Sequence, residues 1–171
     1  MRISRYDVDQ DRWTPIASLP NQRARSQHAS VRHGNTIIVS GGLDADLALD
    51  SILVYHPNTD IWETSPRRMP TPRVDHVTLS HGDKVYFCGG WQEVDHGEVG
   101  PSRSLIETID VYDVERDAWS VETTVPTPRF HAGFVIVKGK LYIIGGFHSD
   151  TSLFDRATGK RGNYLKVIFR L

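Results

Sequence analysis

Three arginines, Arg25, Arg73 and Arg129, each stand 16 residues ahead of a glycine pair, and a cation repeated at one offset is the first candidate for chemistry. Guanidinium is a planar fork of donors that pairs bidentately with carboxylates and keeps its charge at any physiological pH. Such a fork suits contact with a partner or bonding within its own loop, and the residue type leaves both open. Arg23, Arg67, Arg68 and Arg103 have weaker positional support. His28 and His76 lie 13 residues before their glycine pairs, which invites a ring of metal ligands, but His131 lies 14 before its own. A one-residue shift on a strand turns a side chain to the opposite face, so hydrogen bonding at strand starts is expected of all three.

Nucleophilic and cofactor chemistry find less support. Cys88 is the single cysteine and ends an apolar run at 84–88, the setting of a buried and inert thiol. It leaves no internal disulfide and no cysteine-rich zinc site. Thr158-Gly159-Lys160-Arg161 lacks the upstream glycine of a phosphate loop, and no Gly-x-Gly-x-x-Gly occurs. The expectation is a protein that binds without catalysing, with no cofactor and no metal.

The elements that must position these residues repeat along the chain. Glycine pairs fall at Gly41-Gly42, Gly89-Gly90 and Gly145-Gly146, each closing a short apolar run. A Tyr and a Trp seven residues apart keep the same rhythm: Tyr6 with Trp13, Tyr55 with Trp62, Tyr112 with Trp119. Between each Tyr and Trp lies a polar turn such as His56-Pro57-Asn58-Thr59-Asp60, the chemistry of a hairpin loop. The glycines are expected at strand ends where backbone approaches closely, and the aromatics in packing between units. In the first full unit, strand-length runs at 29–32, 36–40, 51–55 and 61–65 predict a four-stranded meander. One meander buries too little surface to stand alone, so units must pack face to face.

These marks, with Thr71-Pro72-Arg73 and Thr127-Pro128-Arg129 leading into the next unit, resemble the kelch repeat, whose period of about 50 agrees. The likeness covers roughly residues 3 to 147 and is closest to the kelch domains of BTB-kelch proteins. It implies an all-β, kelch-type β-propeller, here incomplete: strands at 3–6 and 13–16 close a unit begun earlier, two full units follow, and runs at 132–137 and 141–144 open another. The total is about three and a half four-stranded blades. Residues 1–147 are assigned to the repeats, and 148–171 to a degenerate last blade or basic tail, with Phe154 as a stand-in for the missing Tyr. A larger propeller's fragment or short isoform is expected, over half of a dimeric ring.

The resemblance also implies that Arg25, Arg73 and Arg129 line one ligand-binding face and hold acidic side chains of a partner peptide. Glycine pair to Tyr takes 23 residues in the second full unit against 14 in the first, and the insertion carries Trp91, Glu93, Asp95, His96, Glu98 and Arg103. It is expected on the same face, with Trp91 as an exposed anchor or packed inward, and with metal binding by Glu93, Asp95 and His96 disfavoured. The implied function is substrate recognition for a cullin-RING ubiquitin ligase, although the BTB and BACK regions that dock a cullin are absent from these residues. Actin binding or a cytoskeletal scaffold is the alternative.

Composition bounds these readings. Lys plus Arg number 20 against 21 Asp plus Glu, a net charge of -1 that argues against nucleic acid. A hydrophobic fraction of 39% with 24% charged residues suits a folded chain. The longest apolar runs are about four residues, far below the roughly 20 that span a bilayer. With no signal-peptide pattern after Met1 and one cysteine, a cytoplasmic protein is expected.

Overall fold

The repeated runs form antiparallel sheets in the computed structural model, which describes residues 3–20, 24–95, 97–148 and the backbone of 166–170. Strands β1 (Ile3–Asp7) and β2 (Arg12–Ile16) make a two-stranded leading pair. Next come β3 (Ala29–His33), β4 (Thr36–Ser40), a small hairpin β5 (Leu43–Asp44) and β6 (Leu47–Ala48), then β7 (Ser51–His56) and β8 (Ile61–Arg68). The order β3-β4-β7-β8 is the first complete blade. After it run β9 (Val77–His81), β10 (Lys84–Cys88), an inserted hairpin β11 (Trp91–Asp95) and β12 (Pro101–Leu105), then β13 (Thr108–Asp113) and β14 (Ala118–Thr124). The order β9-β10-β13-β14 is the second complete blade. Last, β15 (Gly133–Val137), β16 (Lys140–Ile144) and β17 (Lys166–Arg170) form a three-stranded terminal sheet.

The apolar run of β10 explains how blades stack. Val85 and Phe87 pack on Ile38 and Ile52 of the first blade, while Tyr86 and Cys88 pack on Leu141 and Ile143 of the terminal sheet. A strand buried on both faces reads as a continuous apolar run rather than an alternating one. Each such side chain contributes about 1.5–3 kcal/mol by leaving water. The outer strands β8 and β14 are largely exposed, and their sequences are correspondingly polar.

Every Tyr–Trp hairpin shares one turn. Asp11, Asp60 and Asp117 adopt left-handed backbone (φ +46, +56 and +53), and each accepts a hydrogen bond from the tyrosine hydroxyl five residues before it. Asp60 also takes the Ala17 N–H at 2.9 Å while the Trp62 indole donates to the Ala17 carbonyl at 2.9 Å, tying the first blade to the chain leaving the leading pair. The Tyr and Trp thus brace their turn as well as pack between units.

The strands begin and end within three residues of their expected bounds. In the last unit, Phe154 lies outside the described residues, and the register of β17 puts Phe169 opposite Leu141, the position Tyr112 holds opposite Val85.

Candidate partner-binding mouth

The three repeated arginines turn inward, which corrects the expectation that they meet a partner. Arg25 is 7% exposed, Arg73 0% and Arg129 2%. Each donates through Nη1 to the carbonyl of the first glycine of its own pair: Arg25 to Gly41 at 3.2 Å, Arg73 to Gly89 at 2.8 Å, Arg129 to Gly145 at 3.2 Å. That carbonyl lies just past the strand end, outside the sheet ladder, and a buried carbonyl needs a donor. The constant offset of 16 therefore reports a repeated internal bond. Arg73 further donates to Thr108 Oγ1 at 2.9 Å and to Asp110 Oδ2 at 2.7 Å, a pair sealed from water. Arg67 and Arg68 are engaged with Asp117 and Asp50, and Arg23 lies outside the described residues.

What the loops present instead is the residue two places further on. Gln27, Asp75 and His131 each stand 14 residues before a glycine pair and share left-handed backbone (φ +53, +55 and +55). The Asp75 N–H donates to the Gln27 carbonyl at 2.9 Å and the His131 N–H to the Asp75 carbonyl at 3.2 Å, so the row crosses from unit to unit. Asp75 Oδ2 accepts from Gln27 Nε2 at 2.8 Å and from the Trp91 indole at 3.1 Å, and lies 2.9 Å from His131 Nε2. The Asp75 side chain is only 8% exposed, whereas that of His131 is 50% exposed. Three different residue types hid this row, although the shared offset was there to be counted.

The histidines do not form a metal ring. His76 is buried and its Nε2 lies 2.9 Å from Ser40 Oγ of the preceding blade. Burial, with the Arg73 charge nearby, pushes its pKa down to about 3, so it is neutral at physiological pH. Among the described residues no group of three His, Cys, Asp or Glu is placed to hold a metal ion, and His96 lies outside them. Burial likewise pushes the Cys88 thiol up to about 12, leaving almost no thiolate near neutrality.

The inserted hairpin rises beside the mouth, since Trp91 at its base bridges Val74. Trp91 is 2% exposed, so it is an inward-packed residue and not an exposed anchor. The Arg103 guanidinium caps its ring at 4.2 Å, and Glu93 stands opposite Arg103 in the hairpin register. Arg103 and Glu93 are exposed to solvent.

Radially packed four-stranded meanders whose inner loops meet at one mouth define a kelch-repeat β-propeller, present here as an arc. The chain belongs to the Attractin/LZTR1 β-propeller family, whose model matches residues 1–152. It is similar to Kelch-like protein 36 of Rattus norvegicus, 29% identical over 157 residues covering 91% of this chain and 25% of that protein. Kelch repeat and BTB domain-containing protein 12 of Homo sapiens is 28% identical over 165 residues, 85% of this chain and 25% of its own length. Alpha-scruin of Limulus polyphemus is 25% identical over 156 residues, 88% and 16% of the two chains. The solved structure of YjhT superposes with a TM-score of 0.70 at 20% identity, covering 91% of this chain and 55% of that one, a likeness of fold. The chain thus spans a quarter or less of these curated relatives.

Proposed function

We propose that this chain is a protein-recognition module whose mouth takes an extended, acidic segment of a partner protein. The observation that carries the reading is the Gln27, Asp75, His131 row. Asp75 is already satisfied from within, while Gln27 and His131 remain exposed, with Arg103 beside them on the inserted hairpin. Loops held on a rigid scaffold are well placed for recognition, and the exposed guanidinium of Arg103 among these polar side chains suits a carboxylate-bearing partner. The chain performs no bond-making step in this reading. In its finer form the mouth recognises substrates for a cullin-RING ubiquitin ligase, with transfer on other subunits. The kelch-like and BTB-containing relatives support that form, and without a BTB region these residues would bind a substrate but not deliver it.

A peptide-display selection on the immobilised chain tests the proposal. Selected peptides should be rich in Asp and Glu, and their affinity should fall at least tenfold, about 1.4 kcal/mol, in Gln27→Ala, His131→Ala with the melting temperature unchanged. Binders indifferent to both substitutions would overturn it, and co-sedimentation with actin filaments would favour the cytoskeletal alternative.

A further inference from the structure

Between the two complete blades lies a cavity of about 210 Å³. Ile38, Ile52 and Val54 of the first blade form one wall, and Val85, Phe87 and Tyr112 of the second form the other. Thr36 and Val114 line it at the strand ends remote from the glycine pairs, and Val114 is 39% exposed, so this end meets solvent. The second blade shows why the space is open. Tyr86 stands three residues before Gly89 as Ile38 stands three before Gly41, and each lies opposite a valine of the third strand, Val111 or Val54. Tyr86 packs against Leu141 and Ile143 and is 4% exposed, whereas Ile38 is too short to fill the matching space.

Two donors at this cavity are unused. Ser65 also lines it, and its Oγ accepts the Arg67 N–H at 3.1 Å while its own proton has no acceptor among the described residues. The Trp119 indole packs on Phe87 and Tyr112, 5.1 Å from each ring, and its buried Nε1 has no partner among the described residues. In the first blade the matching indole, Trp62, donates to the carbonyl of Ala17, four residues past Trp13, while Asp60 takes the Ala17 N–H. Four residues past Trp62 stands Pro66, which has no N–H to give, and Asp117 pairs with Arg67 instead. The turn docks one residue further along, and the Trp119 N–H is left toward the Ser65–Pro66 segment without an acceptor. A buried donor left unpaired is costly and calls for a partner.

We propose that this cavity binds a small, neutral aromatic molecule carrying one oxygen acceptor, such as an aryl ketone, at a site separate from the mouth. An apolar cavity of roughly 150 Å³ takes a benzene ring, so this larger one admits a ring with a short substituent. The aliphatic wall of Ile38, Ile52 and Val54 covers one side of the ring, and Phe87 and Tyr112 cover the other. The oxygen accepts from Ser65 and Trp119. Apolar walls with a few placed polar groups are the usual make-up of a small-molecule site. A charged ligand would bury its charge against these walls, and Arg67 beside Ser65 is already engaged by Asp117. Because the two walls belong to different blades, the bound molecule joins them and stabilises the fold by mass action.

The test uses the full chain with acetophenone, and with ethylbenzene as the probe that lacks the oxygen. Acetophenone should raise the melting temperature saturably and bind about tenfold tighter than ethylbenzene, the difference one hydrogen bond makes. Methyl NMR should place it: Ile38, Ile52 and Val85 shift, while Ile3 and Ile16, which line a second apolar cavity beside the leading pair, stay still. Ile38→Tyr, which puts there the residue the second blade carries, should fill the space and abolish both effects. Should that variant fail to fold, Val54→Phe fills the cavity from a half-buried position. Ser65→Ala should narrow the gap between the two probes and leave ethylbenzene binding unchanged. No methyl shift at Ile38 and Val85, or binding that survives a folded filling variant, overturns the site; equal affinity for the two probes overturns the acceptor-bearing class.

Discussion

Arg73 shows how one side chain separates folding from recognition. Its guanidinium is sealed against Asp110, Thr108 and Gly89, so Arg73→Ala leaves a buried carboxylate without its counter-charge. Loss of one member of a buried pair costs about 3–5 kcal/mol, and urea unfolding should show a drop of that order. Arg73→Ala paired with Asp110→Ala should cost less than the sum of the two single changes. His76 sets a pH dependence. Its folded pKa of about 3 lies below the ordinary 6.5, so the unfolded chain binds its proton first as pH falls. The stability tied to neutral His76 is full above about pH 6.5 and is lost progressively toward pH 3. The urea midpoint should therefore fall between pH 7 and 5, and fall less in His76→Asn; equal slopes would remove His76 as the cause. Neither role has a mark in the residue types: arginine at a fixed offset suits an outward contact as well as an inward one, and only the carbonyl beside it decides.

At the scale of elements, strand runs, hairpin turns and glycine pairs were legible because each is set by neighbours in sequence: alternation, turn chemistry and left-handed backbone. The Tyr–Trp hairpins carried the most information, since Tyr112 and Asp117 close the turn that holds β13 against β14. The Gln27, Asp75, His131 row was not legible, because its bonds join loops 48 and 56 residues apart and its side chains share no chemistry. Close packing of successive units makes a graded prediction. A side chain in left-handed backbone costs about 1–2 kcal/mol, which is the expected loss for Gly145→Ala. Gly89→Ala must also push the Arg129 carbonyl away from 2.1 Å, so its melting temperature should fall further. Equal losses in thermal unfolding would contradict the packing described for the second blade.

For the whole molecule, the arc leaves Trp13 at 68% exposed where its counterparts in the complete blades are half-buried. Acrylamide should therefore quench Trp13 more readily than Trp62 or Trp119, with Trp13→Phe isolating its share of the signal; equal quenching of all three would mean that the leading pair is covered. The sequence by itself determined the strand order and the unit repeat, because hydrophobic alternation and turn residues act over a few neighbours and recur at a constant spacing; the propeller class came from the resemblance to the kelch repeat, since spacing alone suits units packed in a line as well as radially. Tertiary structure alone decided which way Arg25, Arg73 and Arg129 face, that Trp91 lies under Arg103, and that Gln27, Asp75 and His131 form the mouth. Those outcomes depend on where the folded chain brings backbone carbonyls and neighbouring loops together, and a carbonyl is the same at every residue, so no residue type announces it.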